Sequence, residues 1–333
     1  MTKEYPYKKI LITGGCGFIG SSYIKTLLEN YHGFEIQNLD LMTYATSKKT
    51  LNLFKNYENF FHSNTDISDF AEVSKIFNSF IPDLVVNFAA ESHVDNSING
   101  ATPFINSNII GTFNLLEASK NLPTQKDFLF HQISTDEVFG DLDNNDPAFK
   151  ENDAYDPSSP YSASKASSDM LVSAWGRTFQ ISYLITNCSN NFGPRQYKEK
   201  LIPKIIFNTI AGIEIPIYGD GLNIRDWIFV DDHTNIIIEL HKKDIRADRF
   251  NIGGNNEITN IDLVESIMRV LESKYNLSPK IKFVEDRKGH DKRYAINMSK
   301  TDQFLNRESK YNFPENLEST IDWYIENANW WDE

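Results

Sequence analysis

The chain has 333 residues and a formal net charge of −13, long enough for one large domain or two moderate ones and without the basic block that nucleic acid or an anionic membrane would require. No apolar run approaches the roughly 20 residues of a membrane-spanning helix, and no secretory leader precedes the first strand, so a cytoplasmic protein is expected. Cys16 and Cys188 stand in unrelated segments without metal-type spacing and read as reduced thiols, with no metal site.

Lys9 to Thr13 reads as a first strand, running straight into Gly14-Gly15-Cys16-Gly17-Phe18-Ile19-Gly20 and an amphipathic helix to about Asn30. Glycines at this spacing permit a tight turn and let backbone amides approach a pyrophosphate at the helix N-terminus. Asp40 follows the apolar run Ile36 to Leu39, about twenty residues past the last glycine, where a carboxylate accepts from the adenosine ribose or serves merely as a cap. Between Asp40 and Lys48 there is no basic residue to meet a 2′-phosphate, so NAD is expected rather than NADP. Asp66 either accepts from the adenine or caps a helix starting near Ser68.

Asp83 to Phe88 is a further buried strand ending in Ala89-Ala90-Glu91-Ser92-His93, whose small residues let the backbone pass close to a nicotinamide. His93 reads equally as a structural residue or a ligand contact. Ser107 opens a helix through Ser119. Phe128 to Ile133 is the pattern of a parallel strand delivering Ser134-Thr135-Asp136-Glu137 to a crevice. Paired carboxylates at the edge of a core are costly unless they have work or partners. Two acids side by side resist joint ionisation, so one stays protonated as donor while the other serves as base. Pro160 suits a first helical position, with Ser158 or Ser159 as cap. In that helix Tyr161 and Lys165 lie four apart on one face, where an ammonium lowers a phenol's pKa toward that of a useful base.

Ile181 to Thr186 reads as the next strand. Strand and helix alternate throughout this half, and a doubly wound parallel α/β sheet of the Rossmann type is the economical fold. The expected division is a dinucleotide-binding domain over 1–187, with 231–253 returning to it, and a smaller substrate domain over 188–230 and 254–333. Within 231–253, Asp231 to Lys243 has helical period and Arg249 to Gly253 reads as a strand. The remainder to Glu333 is expected to form most of a helical cap. Arg225 and Arg293 stand out as forks for a diphosphate, Lys288 and Lys292 less so.

With these residues in hand, the chain resembles the extended short-chain dehydrogenase/reductase superfamily and, within it, the dTDP-glucose 4,6-dehydratases. The likeness runs through the glycine turn, Ala89 to Asp95, Ser134 to Gly140, Ser159 to Lys165, Thr186 to Asn191, Glu199 to Pro203, Gly219 to Gly221, Arg225-Asp226-Trp227 and Gly289-His290-Asp291. The Thr-Asp-Glu triplet discriminates, because related nucleotide-sugar epimerases lack that acid pair.

The resemblance implies NAD, tightly bound and regenerated each cycle, and a nucleotide-sugar substrate. Thr135 and Tyr161 would hold the glucose 4-hydroxyl, with Tyr161 taking its proton and Lys165 holding the nicotinamide ribose. Glu137 would remove the C5 proton and Asp136 would protonate the departing 6-hydroxyl. Gly14, Gly17, Phe18, Ile19, Gly20, Asp40, Thr43, Asp66, Ile67, Ala89, Ala90, Ser92, Ser107 and Asn187 would join Tyr161 and Lys165 around the cofactor. Ser92, Ser134 and Thr135 would approach the sugar, and Asn190, Lys200, Leu201, Pro216, Tyr218, Arg225, Asn251, Arg287, His290 and Tyr294 would line the nucleotide pocket. Departures from the family's habit are Asn96 for an arginine, Phe192 for a tyrosine and no basic residue at the second position of Asp40-Leu41-Met42-Thr43. A homodimer pairing through first-domain helices is implied. The rival readings are a dehydratase of a UDP- or CDP-linked glucose, a nucleotide-sugar 4-epimerase, and an NAD-bound sensor without chemistry.

Overall fold

The computed structural model describes residues 2–123, 127–287, 289–308 and 311–332. Seven strands form its main sheet, in the order Ala247–Ile252, Tyr183–Cys188, Leu129–Thr135, Leu84–Asn87, Lys9–Thr13, Glu35–Leu39 and Phe60–Ser63. Every neighbouring pair is parallel. The central strands are buried from end to end, as a sheet covered on both faces demands. From Lys9–Thr13 the chain winds outward through Glu35–Leu39 to Phe60–Ser63, then crosses back to Leu84–Asn87 on the other side. Strand order reverses between Lys9–Thr13 and Leu84–Asn87, which opens a crevice at their C-terminal ends.

On one face the helix Phe18–Asn30 packs against Val230–His241; on the other, Phe70–Phe80, Thr112–Lys120 and Pro160–Phe179 pack in sequence. The helix expected from Ser107 begins earlier, with Thr102–Phe104, and passes through a wide π turn at Ile105–Gly111 before Thr112–Lys120. Such turns recur at functional sites. Here Asn108 takes the amide of Glu91 at 2.9 Å and returns a bond to the Glu91 carbonyl at 3.0 Å. It thereby ties Glu91, in the segment that follows strand Leu84–Asn87, to the π turn.

Asp69, not Asp66, caps the helix Phe70–Phe80, accepting from Ala71 and Glu72; Asp66 takes the Ser68 amide one turn earlier. The strand expected over 181–186 lies at Tyr183–Cys188, so it runs one residue beyond the expected domain boundary. Helix Ser299–Leu305 packs on the edge strand Ala247–Ile252, where Thr301 donates to the Asn251 carbonyl. That part of the C-terminal third therefore sits on the large sheet and not in the cap.

The smaller body joins Asn190–Phe192, Ile224–Phe229 and Glu257–Thr259 in one sheet and Ile215–Tyr218 with Ile281–Val284 in another. Helices Leu201–Ile210, Asn260–Tyr275 and Phe313–Glu326 pack together over a core that includes Ile205, Ile267, Ile321 and Tyr324. Among the described residues, no helix is long and apolar enough to cross a membrane.

Candidate active site

A cavity of about 480 Å³ lies where the two bodies meet over the strand ends, within the range of small-molecule sites. One end is the glycine turn. Gly14 has φ +68°, and a Cβ there would sit 2.7 Å from the Ala89 nitrogen, so only glycine lets the two backbone segments approach. The helix Phe18–Asn30 starts at Gly17 with no side-chain cap and no acid in its first turn, leaving its N-terminal amides to an anion. Asp40 is buried at this end, accepting the Cys16 and Met42 amides at 2.8 Å each. It both steadies the turn and faces the cavity. These features fit the pyrophosphate and adenosine half of a dinucleotide.

At the other end, strand Leu129–Thr135 runs into a short 3₁₀ turn, Asp136–Val138, which carries the carboxylate pair over the crevice. Thr135 accepts the Glu137 amide at 3.3 Å and donates to Asp136 Oδ1 at 3.2 Å, while Asp136 Oδ2 is buried without a partner. Burial pushes the Asp136 carboxyl well above its ordinary range, and the neighbouring Glu137 and Asp226 push it further. Glu137 is also raised by burial, but the Arg225 guanidinium and the Lys200 ammonium oppose the shift. The environments thus separate the pair, with Asp136 the readier to hold a proton and Glu137 the readier to lose one.

Tyr161 and Lys165 stand in the first turns of Pro160–Phe179, which opens on Pro160 and a reciprocal Ser159–Ser162 capping box. Direct stabilisation of the phenolate by Lys165 is not what this arrangement provides. Lys165 Nζ donates to the Ile133 carbonyl at 2.6 Å, and burial with Glu137 nearby raises the Tyr161 phenol well above its usual value, a hydrogen bond from Thr135 opposing.

Of the residues expected at the cofactor, Gly14, Gly17, Phe18, Ile19, Gly20, Asp40, Thr43, Ala89, Ala90, Ser92, Tyr161 and Lys165 line this cavity. Asp66, Ile67, Ser107 and Asn187 do not; Asn187 is fully buried behind it, donating to the Thr135 carbonyl at 3.0 Å. Ser134, Thr135, Asn190, Lys200, Leu201, Pro216, Tyr218, Arg225, Arg287, His290 and Tyr294 line it as well. Asn251 lies away, buried, with its amide on the Phe149 carbonyl.

Arg225 and Arg293 part company. Arg225 packs 4.3 Å from the centre of the Tyr294 ring in the cavity wall. Arg293 is spent outside it, forked on Glu257 at 2.5 and 2.9 Å and donating to the Asp146 carbonyl. Lys292 pairs with Asp143 on the surface, and Lys288 lies outside the described residues. His93 caps the helix Val94–Asn99, which gives it the structural role, and it also lines the cavity.

Two residues escaped the sequence reading. Asp95 holds Arg287 in an ion pair at 2.6 Å within the lining; nothing in the local sequence links positions so far apart. Asp169, buried behind the lining, stands four residues beyond Lys165 on the same helix, a spacing that extends the Tyr161–Lys165 series and could have revealed it.

A doubly wound sheet with this glycine turn and a Tyr-x-x-x-Lys helix beside a carboxylate pair defines a member of the extended short-chain dehydrogenase/reductase class. A family model described as GDP-mannose 4,6 dehydratase matches residues 11–320, and a dTDP-glucose 4,6-dehydratase of Escherichia coli is 45% identical, over 97% of this chain and 95% of its own length. The chain belongs to the dTDP-glucose 4,6-dehydratase family. Among solved structures it resembles a dTDP-glucose 4,6-dehydratase from Streptomyces venezuelae with NAD and TYD bound, at 35% identity and a TM-score of 0.90, covering 97% of this chain and 98% of that one. A UDP-glucose 4-epimerase from Thermotoga maritima with UDP-glucose has the same fold at 27% identity and a TM-score of 0.84, covering 96% and 99%. Fold alone therefore does not separate dehydration from epimerisation, and the side chains must.

Proposed function

We propose that this protein is an NAD-dependent dehydratase that converts dTDP-glucose to dTDP-4-dehydro-6-deoxy-glucose and water. The observation that carries the reading is the contiguous Thr135-Asp136-Glu137 set beside Tyr161 in one cavity, with its two carboxyls in unlike environments. An epimerase needs no such pair.

The glycine turn, Asp40 and Lys165 would hold NAD, which would supply a hydride acceptor for C4 and, once reduced, a hydride donor for C6. Thr135 and Tyr161 hold the sugar 4-hydroxyl, and Tyr161 takes its proton as the phenolate, a form that the cationic nicotinamide of bound NAD would favour against the burial that raises the free phenol. A ketone at C4 acidifies the C5 proton, which Glu137 removes. Asp136, kept protonated by burial, donates to the 6-hydroxyl as water leaves. Arg225, Arg287 and Lys200 give the cavity a cationic wall suited to a diphosphate, and the arginine stacked on Tyr294 positions that wall. The domain division follows the same logic, the cleft being shared between a cofactor body and a substrate body, with helix Ser299–Leu305 on the side of the first.

A homodimer is part of this reading. Ile98, Ile105, Ile110, Phe113 and Met170 are apolar residues exposed on helices of the first domain, and such a group favours a partner surface. Both cysteines are free and buried, which accords with a reducing, cytoplasmic setting.

Incubation with dTDP-glucose deuterated at C4 of the sugar tests the reaction. Dehydration moves the label to C6 of the product, whereas recovery of the label at C4 in an inverted sugar would establish epimerisation instead. Competition of dTDP against UDP and CDP tests the nucleobase, and absence of any turnover would leave only a binding protein.

A further inference from the structure

The catalytic triplet and the helix that carries Tyr161 and Lys165 must keep a fixed separation for hydride and proton to leave the same carbon and its hydroxyl. Three consecutive strand residues are tied from below. Lys165 Nζ donates to the Ile133 carbonyl at 2.6 Å. Ser134 donates its hydroxyl to Asp169 Oδ2 at 2.7 Å. The Thr135 carbonyl accepts from Asn187 Nδ2 at 3.0 Å, and the same amide reaches Asp169 Oδ2 at 3.5 Å. Tyr155 adds a third donor to that oxygen, at 2.7 Å.

Asp169 is fully buried. Its Oδ1 has no hydrogen-bond partner, and the cations that act on its carboxylate are Arg249 and Lys165. Arg249 in turn lies 4.7 Å from the centre of the Tyr155 ring. A buried carboxylate that gathers donors from a strand, a loop and a neighbouring strand is expensive unless geometry is its purpose. Because Asp169 follows Lys165 by four residues, both project from one face of Pro160–Phe179 toward the same strand end.

We propose that Asp169 is a positioning residue for the oxidation step, locking the strand end Ser134–Thr135 to the helix that presents Tyr161 and Lys165. The inference rests on the dehydratase reading above. It makes Ser134 primarily a strut, since its hydroxyl is committed to Asp169, and Asn187 the link that extends the lock to Thr135. An amide at position 169 would offer a single acceptor oxygen and turn two N–H groups toward a site already full of donors.

The test is single-turnover oxidation, followed as NADH absorbance after mixing enzyme, NAD and dTDP-glucose, in the wild type, Asp169→Asn and Tyr155→Phe. The wild type must first form product; if it does not, the dehydratase reading fails and this proposal is not what was refuted. With an active wild type, Asp169→Asn slows oxidation ~10-fold or more while the affinities for NAD and dTDP-glucose stay within ~2-fold. Tyr155→Phe, which keeps the charge and removes one donor, slows oxidation by a smaller factor with affinities and melting temperature unchanged. Wild-type oxidation rates in either variant overturn the lock, as does a parallel loss of rate and affinity. Should Asp169→Asn not accumulate as folded protein, Tyr155→Phe decides by the same criteria.

Discussion

Thr135 donates its hydroxyl to Asp136 across 3.2 Å, and the other carboxyl oxygen of Asp136 is buried without a partner. A protonated acid fits such a place, because its O–H can turn toward whatever enters the cavity. The ionised form has lost water and gained one neutral hydrogen bond in exchange. Dehydration therefore depends on two carboxyl titrations with opposite requirements. Glu137 must be ionised, so activity falls as pH drops through its raised value; Asp136 must be protonated, so activity falls as pH climbs through its own raised value. A bell-shaped profile is expected for the elimination step. Glu137→Gln removes the base: NADH accumulates from C4 oxidation and no water is lost. Tyr161→Phe forms no NADH at all. Stopped-flow absorbance separates the two, and arrest of both variants at the same step would refute the assignment.

The same burial has a cost in stability. A carboxyl raised on folding contributes stability that is complete below the unfolded value, near 4 for an aspartate, and lost as pH rises through the folded value. Asp136 is such a group. At neutral pH the folded chain must hold a proton at Asp136 that the unfolded chain gives up, so Asp136→Asn removes that cost and is expected to raise the folding stability of the ligand-free protein by roughly 0.5–2 kcal/mol while abolishing dehydration. The gain shrinks toward pH 4, where the unfolded chain takes up the proton as well. Thermal melts of both proteins between these pH values measure it, and an equal or lower melting temperature for the variant at neutral pH would sink the argument.

The two arginines that the sequence reading treated alike should answer differently to mutation. Arg225 faces the cavity and stacks on Tyr294, with its guanidinium also donating to the Asp291 carbonyl at 3.0 Å. Arg225→Lys keeps the charge but loses the planar fork, and KM for the nucleotide sugar rises ~10-fold with little loss of folding stability. Arg293→Ala breaks an ion pair whose carboxylate partner is about a third exposed. It costs about 1–2 kcal/mol of stability, less than a fully buried pair would, and leaves KM unchanged. Steady-state kinetics beside denaturant titrations distinguish the pair.

Local pattern accounts for most of what could be read in advance. Strands such as Lys9–Thr13 and Leu84–Asn87 are apolar runs ended by small or polar residues, and Pro160 with Ser159 marks its helix start chemically. The fate of Arg293 depended on Glu257, 36 residues away and brought near only by the fold. Likewise Asp95 and Arg287, or Ser134 and Asp169, are partners across elements. The Tyr161–Lys165 spacing located both residues, but helical proximity could not say which acceptor the ammonium would take, and the Ile133 carbonyl took it. The π turn at Ile105–Gly111 was invisible for a related reason, since Asn108 is drawn to Glu91 and Ser164 by tertiary contacts rather than by its neighbours in sequence.

Gly14 offers a test of the cofactor end that is independent of the chemistry. Its φ of +68° is a left-handed conformation that side chains other than glycine, asparagine and aspartate rarely adopt, and the would-be Cβ meets the backbone nitrogen of Ala89 at 2.7 Å. Backbone cannot swing aside as a flexible side chain does. Gly14→Ala must therefore push apart the glycine turn and the Ala89–Ala90 segment, both of which line the cavity. Strain of ~1–3 kcal/mol is expected, part of it relieved by widening the turn. The widened turn no longer presents its amides to a pyrophosphate, so NAD affinity falls ~10-fold or more while the protein still folds. Isothermal titration of the cofactor-free variant with NAD reads the loss, and a thermal melt shows that it is not unfolding. Unchanged affinity in a stable variant would mean that the turn does not hold the cofactor.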